Sequence, residues 1–251
     1  MKRWEGPGDG RELLQSTQAA LPLKHTRDTT VSRLRQVNDY FAKFVPETVK
    51  RLIASNPEAP HLSLHDCDVS VLFLDISEYS RLSQQMPPRV LTTLVEQYFS
   101  RFLDCIYAAD GDINEIAGDG FMAIFQGVDP CEHVIRAVNT AFALLCATQA
   151  LNRANHGQTL AVHMGINSGL ALLGLHRLEG RYGTRWTFTA RGPMTNLAAR
   201  LADLAAPGQI LAGSETVRRL GSRYVIHNLG SEQLKNLVEP VAVYCLLGVT
   251  E

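Results

Sequence analysis

Val69–Ile76, VSVLFLDI, is an apolar run with an aspartate, Asp75, near its end. This combination of a buried strand pattern and a terminal carboxylate is the most informative feature of the sequence. A second run, Asn114–Phe125 (NEIAGDGFMAIF), contains Asp119, which follows Asp75 by 44 residues. Both runs predict short buried strands, and Asp119-Gly120 predicts a hairpin turn. A carboxylate at the tip of a buried strand costs free energy unless a positive group meets it.

The two aspartates are the first candidate functional residues. Two carboxylates delivered to one place can hold a divalent cation, and Mg²⁺ is commonly held by one or two carboxylates together with phosphate oxygens. The alternative is that each aspartate caps a turn. A lone aspartate would favour that alternative. The choice between a metal site and two turn-capping aspartates therefore depends on the other motifs of the chain.

Composition limits the class of protein. The 251 residues are 45% hydrophobic with a net charge of -1, which suffices for one sizeable core plus an appendage and predicts no broad nucleic-acid or anionic-membrane surface. Five cysteines without a CxxC pair indicate reduced thiols. No apolar run approaches the roughly 18 residues of a membrane span, and the charged N-terminus does not resemble a signal peptide. We therefore expect a cytoplasmic location.

The N-terminal part divides into two segments. Residues 1–30 are polar and are expected to be poorly ordered. In residues 31–60, apolar positions recur every three or four residues, and Pro46-Glu47 restarts the pattern before a linker at 55–60. These helices either pack on their own domain or serve as a dimerisation and transducer segment, and we favour the second role.

The rest of the chain alternates strand and helix patterns. Strands are predicted at 160–166 and 170–175 around a turn at 167–169, followed by a loop at 176–185. Helical patterns occupy 89–109, 132–155, 194–205 and 215–220. This alternation, with hairpins included, predicts an α+β fold with helices on one face of a central, mostly antiparallel sheet.

Five segments resemble the class III nucleotidyl cyclases, the adenylate and guanylate cyclases, in the order of that family. Val71–Ile76 resembles the first metal motif and Gly118–Phe125 the second. His163–Gly169 (HMGINSG) is similar to a family strand turn, and Phe188–Leu201 (FTARGPMTNLAARL) to the segment that holds the transition-state Asn and Arg. Leu234-Lys235 resembles the phosphate-binding lysine. The resemblance covers residues 67–248, which we expect to form the catalytic domain.

The resemblance implies a ferredoxin-like class III cyclase fold and conversion of a nucleoside triphosphate to a 3′,5′-cyclic nucleotide and pyrophosphate. It assigns two divalent metal ions, Mg²⁺ or Mn²⁺, to Asp75, Asp119 and the backbone carbonyl of Ile76. Asn196 would orient the ribose and Arg200 would stabilise charge on the α-phosphate. This distribution of roles suits phosphoryl transfer, which needs positioning and charge neutralisation more than covalent chemistry.

The resemblance also implies a homodimer with shared active sites, in which the metal aspartates of one subunit face the base-reading residues of the other. Lys235 and Arg185 are candidates for binding the terminal phosphates, although a solvated loop charge is an equal alternative for Arg185. An upstream regulatory protein is a further partner that the sequence leaves open.

Two positions concern the choice of base. Glu115 lies where guanylate cyclases of this family carry glutamate, and a carboxylate can accept from guanine N1–H and N2–H₂. Thr189, at the second position, can donate or accept. GTP is therefore the favoured substrate, with ATP as the alternative. Arg191, which replaces an apolar family residue, keeps a pyrimidine triphosphate open.

Glu78 and Pro193 also depart from the family pattern. Glu78 replaces a glycine beneath the phosphates, and this keeps open a catalytically silent nucleotide-binding or dimerisation module of the same fold. Pro193 is compatible with the first turn of a helix. A polymerase-like palm is a third hypothesis, because that fold also pairs strand-end carboxylates with metal ions.

Overall fold

The computed structural model describes residues 29–60, 62–155 and 159–250. Most of the segment 1–30, predicted to be poorly ordered, lies outside these residues. The strands are β1 (His65–Ile76), β2 (Gly111–Ala117), β3 (Gly120–Gln126), β4 (Val162–Gly180), β5 (Gly183–Arg191), β6 (Ile210–Gly213), β7 (Tyr224–Glu232) and β8 (Val241–Val249). The helices are α1 (residues 29–41), α2 (Glu47–Ser55), α3 (Tyr79–Gln85), α4 (Pro88–Ala108), α5 (Pro130–Ala154), α6 (Pro193–Leu204) and α7 (Ser214–Leu220).

The sheet has the order β2-β3-β1-β4-β6-β8-β7, with β5 paired to β4 outside this path. Among the described strands, β4 and β6 pair in parallel and the other pairs are antiparallel. The prediction of an α+β fold with a mostly antiparallel sheet is confirmed. The apolar run Val69–Ile76 forms the second part of β1, which lies between β3 and β4.

The core occupies both faces of the sheet. On one face Leu72 and Leu74 of β1 pack with Tyr98 and Phe102 of α4 and with the apolar side of α5. On the other face a smaller cluster joins α6 to β6 and β8 and contains Leu201, Leu211 and Val243. Ile210 and Ala212 belong to the first cluster and Leu211 to the second, as the alternation of side chains along a strand requires.

The prediction that the helices share one face of the sheet is therefore wrong for α6. Its apolar side is formed by Ala198, Leu201 and Ala202, which are buried. Gly165 of β4 permits this packing, because a Cβ atom there would lie 2.2 Å from the Ala202 nitrogen and 2.3 Å from the Ala198 oxygen. A helix this close to a strand follows from the missing side chain, which a periodicity pattern does not reveal.

β4 differs from its prediction as two strands around a turn. It is one strand of 19 residues, and β1 pairs with it on both sides of the expected turn, at Asp68↔Leu170 and Leu72↔Ile166. Gly169 has a φ of 143° and is accommodated inside the strand, where a glycine can bend the chain without reversing it. The predicted loop at 176–185 is likewise wrong, because β4 and β5 continue through it as a hairpin that pairs Gly180 with Gly183.

The chain separates into two compact units, with the boundary between Val45 and Pro46. In the smaller unit the described residues form α1 and a 3₁₀ turn at Ala42–Phe44, and the side chains of Leu34 and Phe41 are exposed. In the larger unit, α2 precedes the sheet. The helical patterns predicted in residues 31–60 are thus present, and α2 falls in the unit that contains the sheet.

The start of α2 is fastened to β2 by Asp112, a carboxylate that is 2% exposed. Its Oδ2 accepts a hydrogen bond from the backbone N–H of Thr48 at 2.6 Å, and its Oδ1 accepts one from Glu47 at 3.2 Å. Backbone N–H groups at a helix start have no partner inside the helix, so a carboxylate there both caps the helix and opposes its dipole. Val49 of α2 is buried.

Within the described residues, α5 is the helix whose length and apolar composition would allow a membrane crossing. Its buried residues include Val134, Val138 and Leu144, and they pack into the main core beside β1. Core helices of globular domains share this composition, and the packing accounts for the apolar side of α5.

Candidate active site

Asp75 and Asp119 come from different elements and meet at one edge of the sheet. Asp75 is the penultimate residue of β1, and Asp119 lies in the turn between β2 and β3. The register places Asp75 opposite Gly120, and the Ile76 N–H donates to the Asp119 carbonyl at 3.1 Å. The turn is therefore tied directly to the end of β1.

Gly120 allows this approach. A Cβ atom at this position would lie 2.6 Å from the Leu74 carbonyl oxygen and 2.7 Å from Oδ1 of Asp75. Both contacts are shorter than any side chain tolerates, so the glycine admits the Asp75 carboxylate beside the turn. The Gly-Asp-Gly sequence thus contributes a close packing contact as well as a hairpin signal.

The electrostatics of the pair favour a cation. Burial and, to a lesser extent, the nearby charge of Asp119 raise the pKa of Asp75 to about 6, with a smaller contribution from Asp203. A carboxylate whose ionisation is disfavoured by burial and by a neighbouring carboxylate is stabilised by a hard divalent ion, and carboxylate oxygens are ligands that Mg²⁺ and Mn²⁺ accept. The donor set therefore fits the implied metal ions.

The protein supplies only part of a coordination shell. Within residues 29–60, 62–155 and 159–250, no three Asp, Glu, His or Cys side chains lie close enough together to hold a metal ion. Mg²⁺ typically keeps water and substrate phosphates among its ligands, so a two-carboxylate site agrees with a phosphate-bearing ligand.

A cavity of about 320 Å³ opens beside Asp75. Phe73 and Met122 contribute apolar surface, and Asp75, Glu115 and Asp203 contribute carboxylates. This volume lies at the lower end of the range for small-molecule sites, which are commonly apolar with a few placed polar groups. Of the predicted base-reading residues, Glu115 lines this cavity.

Asn196 and Arg200 lie on α6, one helical turn apart, and therefore on one face of the helix. Neither lines the cavity. The guanidinium of Arg200 donates through Nη1 to Oδ2 of Asp203 at 2.5 Å. Asp203 belongs to none of the motifs quoted from the sequence, although its spacing after Asn196 and Arg200 on a helix predicts that it shares their face.

Thr189, Arg185 and Lys235 are also absent from the residues that line the cavity. Thr189 and Arg185 lie on β5, and Lys235 is exposed in the turn after β7. A single chain therefore places Asp75 beside Glu115 in the cavity lining and beside Asp119, which does not itself line the cavity. The proposed phosphate-binding groups lie elsewhere on the surface.

Glu78 has an unusual backbone conformation, with φ 57° and ψ 29° at the start of α3. This left-handed region suits glycine, which agrees with the glycine that the resemblance implies at this position. The side chain of Glu78 is 59% exposed and forms an ion pair with Arg81. Its charge is thus partly neutralised within its own helix.

The place of His163 beside Asp75 was not predicted from the sequence, where His163 appears only as the first residue of a family-like segment. It lies opposite Asp75 on β4, and its Nδ1 is 2.9 Å from the Ser77 hydroxyl. Burial lowers the pKa of His163, while the charges of Asp203 and Asp119 oppose that shift. The neutral ring supports the end of β1 without adding charge, and only the strand register reveals its position.

The profile of the adenylate and guanylate cyclase catalytic domain matches residues 63–248. Adenylate cyclase 1 of Rhizobium meliloti is 25% identical over 233 residues, which is 89% of this chain. This chain spans 34% of that protein's length, and about a third of the other first curated relatives.

Solved structures share the fold. The adenylyl cyclase CyaB from P. aeruginosa superposes with a TM-score of 0.68 at 24% identity, covering 74% of this chain and 96% of that one. The guanylyl cyclase Cya2 gives the same TM-score and identity over 76% of this chain and 96% of that one. The fold alone therefore does not separate the two bases. With a family profile that spans about three quarters of its length, this chain belongs to the family of adenylate and guanylate cyclase catalytic domains.

Proposed function

We propose that this protein converts a nucleoside triphosphate, preferentially GTP, to a 3′,5′-cyclic nucleotide and pyrophosphate for intracellular signalling. The observation that carries the proposal is the convergence of Asp75 and Asp119 beside a cavity that Glu115 also lines. The reaction is an in-line attack of the ribose 3′-oxygen on the α-phosphorus, and its main demands are geometry and charge neutralisation.

Asp75, Asp119 and the Ile76 carbonyl would hold two divalent ions at the edge of the sheet. Such ions, when bound, lower the pKa of the attacking hydroxyl and neutralise phosphate charge. Above pH 6 Asp75 is largely ionised even in the free protein, so the residue is ready to bind a cation at neutral pH. Phe73 and Met122 would exclude water from one side of the nucleoside.

A second copy of the chain would complete the site. Asn196 and Arg200 lie outside the lining of their own chain's cavity, which supports a role in the site of a partner subunit. Lys235 and Arg185 would bind the terminal phosphates as charge-assisted donors. Residues 31–60 would help to pair the chains, and residues 67–248 would form the catalytic domain.

Guanine is the favoured base because Glu115 lines the cavity as a carboxylate. Ionised glutamate accepts hydrogen bonds and cannot donate them, so it matches the N1–H and N2–H₂ donors of guanine and has no equivalent pair on adenine. Thr189 would add a hydroxyl that suits either purine.

The decisive experiment is product identification by mass spectrometry. Purified protein is incubated with ATP, GTP, CTP and UTP in parallel, with Mg²⁺ or Mn²⁺. We expect cyclic GMP and pyrophosphate, and loss of both with Asp119→Ala but not with Asp104→Ala, an exposed acid outside the cavity lining. Cyclic AMP would overturn the base assignment alone. A linear product would indicate a polymerase-like reaction, and no product from any nucleotide would overturn the enzymatic proposal.

A silent nucleotide-binding module is the second candidate, and the observation in its favour is Glu78. A glutamate in left-handed backbone beside a phosphate site adds both strain and negative charge. This candidate predicts nucleotide binding without turnover, and cyclase activity that emerges in Glu78→Gly. Equal turnover in both proteins would exclude it.

A further inference from the structure

Three polar residues form a stripe on α6. Asn196, Arg200 and Asp203 are spaced by four and three residues, so they share one face of the helix. The side chain of Arg200 is 33% exposed and that of Asp203 is 60% exposed, and the two form an ion pair. Arg200 is thus restrained by a neighbour on its own helix.

The helix backbone beneath this stripe is held firmly. Ala198 and Ala202 approach Gly165 of β4 so closely that a Cβ atom on that glycine would lie within 2.3 Å of both. Because the backbone is fixed against the sheet, the position of the Arg200 guanidinium depends on its own side-chain torsions. The ion pair with Asp203 is the contact within the described residues that restricts them.

Asp203 lies near Asp75 and Asp119 at the edge of the sheet but is not one of the proposed metal ligands. It lines the cavity together with Asp75, and its charge is felt by both Asp75 and His163. Among the described residues, however, no three acidic, His or Cys side chains form a metal-binding group. Among the described side chains, the hydrogen-bond partner of Asp203 is Arg200.

We infer that Asp203 is a positioning residue for cyclisation, holding the guanidinium of Arg200 in the orientation that meets the α-phosphate. This inference rests on the proposed function. Arginine has five N–H donors, and Asp203 engages Nη1, so donors remain for a phosphate oxygen. Fixing the guanidinium before the reaction removes part of the entropy that a free side chain would lose in the transition state.

The test compares Asp203→Asn and Asp203→Glu with a matched control. Arg101 and Asp104 form an ion pair of the same i,i+3 spacing on α4, with both side chains exposed, so Asp104→Asn removes an equivalent contact elsewhere. At saturating divalent ion we expect Asp203→Asn to lower kcat about tenfold with the nucleotide KM changed less than about twofold. Asp203→Glu should recover most of the rate, and Asp104→Asn should match the wild type.

Three results would overturn the inference. A higher kcat in Asp203→Asn would mean that the ion pair keeps Arg200 out of the reaction. A loss of kcat that is seen only below saturating Mn²⁺ would mean that Asp203 acts on metal binding. An unchanged kcat would mean that the contact has no part in catalysis.

A second readout does not depend on turnover. If the wild type converts no nucleotide, the product assay alone overturns the proposed function. The ion pair is then tested separately, by NMR of the arginine side-chain Nε–H groups. We expect the Arg200 signal to be restricted in the wild type and in Asp104→Asn, and mobile in Asp203→Asn. Equal mobility in all three proteins would show that Asp203 does not hold the guanidinium.

Discussion

At the scale of single residues, Glu78 has a strained left-handed backbone conformation and forms an ion pair with Arg81. Its left-handed conformation is one that L-residues with a Cβ atom rarely adopt, and the pair with Arg81 compensates little because both side chains are more than half exposed. The residue therefore costs stability where the resembled family uses glycine.

Glu78→Gly should stabilise the fold by about 1 kcal/mol, because glycine adopts this φ without steric strain. Urea denaturation measures the change in the free energy of unfolding. Arg81→Ala serves as the control, since it removes the same ion pair and leaves the backbone conformation unchanged. Any loss of stability in Glu78→Gly relative to the wild type would contradict the prediction.

Asp75 should destabilise the metal-free protein at neutral pH. Its pKa is about 6 in the folded protein against an ordinary value of 3.8, so between these pH values the folded state binds more protons and stability falls as pH rises. Asp75→Asn removes the charge and should gain about 1–2 kcal/mol at pH 7.5, a figure discounted for solvent at the site.

Thermal denaturation at two pH values checks this prediction. The stability difference between Asp75→Asn and the wild type should close near pH 4, where the wild-type carboxyl is protonated in the folded state. Mn²⁺ should raise the melting temperature of the wild type and have little effect on the variant. A difference that is independent of pH would assign the effect to packing instead.

Some residues of the candidate site could be predicted from the sequence and others could not. Asp75, Asp119 and Glu115 follow from apolar runs, a turn signal and an ordered set of motifs. The φ of Glu78 and the position of His163 opposite Asp75 depend on backbone geometry and strand register. The position of His163 arises from pairing between segments far apart in the chain, and the φ of Glu78 is a backbone conformation, so patterns of side-chain polarity encode neither.

At the scale of elements, the packing of α6 on β4 depends on one missing side chain. Gly165→Ala would push a Cβ atom into the backbone of α6, where no flexible side chain can move aside. We expect a loss of about 1–3 kcal/mol in stability, as in overpacked cores, and a lower kcat because Asn196 and Arg200 move with the helix. Chemical denaturation and initial rates measure the two effects.

Gly248→Ala is the control for this substitution. It lies near the end of β8, and no atom of the described residues beyond its chain neighbours is within 4 Å of a Cβ atom placed there. We expect its stability and rate to stay close to wild type. Equal losses in Gly165→Ala and Gly248→Ala would show that the close approach of α6 has no special cost.

Helices were easier to anticipate than strands. The 3.6-residue pattern located α4, α5 and α6 to within two residues at their ends, because each has one continuous buried side. β4 was misread because Asn167-Ser168-Gly169 has the composition of a turn. The pairing of β1 along both halves of β4 keeps the segment extended, and that pairing is a long-range contact.

At the scale of the whole molecule, each proposed active site is shared by two chains, with Asp75 from one chain and Arg200 from the other. Asp75→Ala and Arg200→Ala should each be inactive alone, for lack of the metal-binding edge and of the α-phosphate donor respectively. A mixed dimer would retain one intact site of two, and half of randomly assorted dimers are mixed. Co-expression should therefore restore about a quarter of wild-type activity.

Initial-rate assays on the co-expressed pair test this expectation, with differently tagged chains to prove that mixed dimers form. Two copies of the same variant provide the control. Mixed dimers without activity would place the metal aspartates and Arg200 in the site of one chain, contrary to the proposal.

The carboxylate of Asp112 defines where an independently folding unit must begin. The family profile starts at residue 63, but the partners of Asp112 are the N–H groups of Glu47 and Thr48, before that point. A truncated chain that starts at residue 62 loses both hydrogen bonds and the burial of Val49, and should be about 1–3 kcal/mol less stable than one that starts at Pro46. Denaturation of the two truncated chains measures the difference, and equal stabilities would contradict it. The boundary drawn by family resemblance is thus shorter than the boundary drawn by hydrogen bonding, and experiments on the isolated catalytic unit should respect the second.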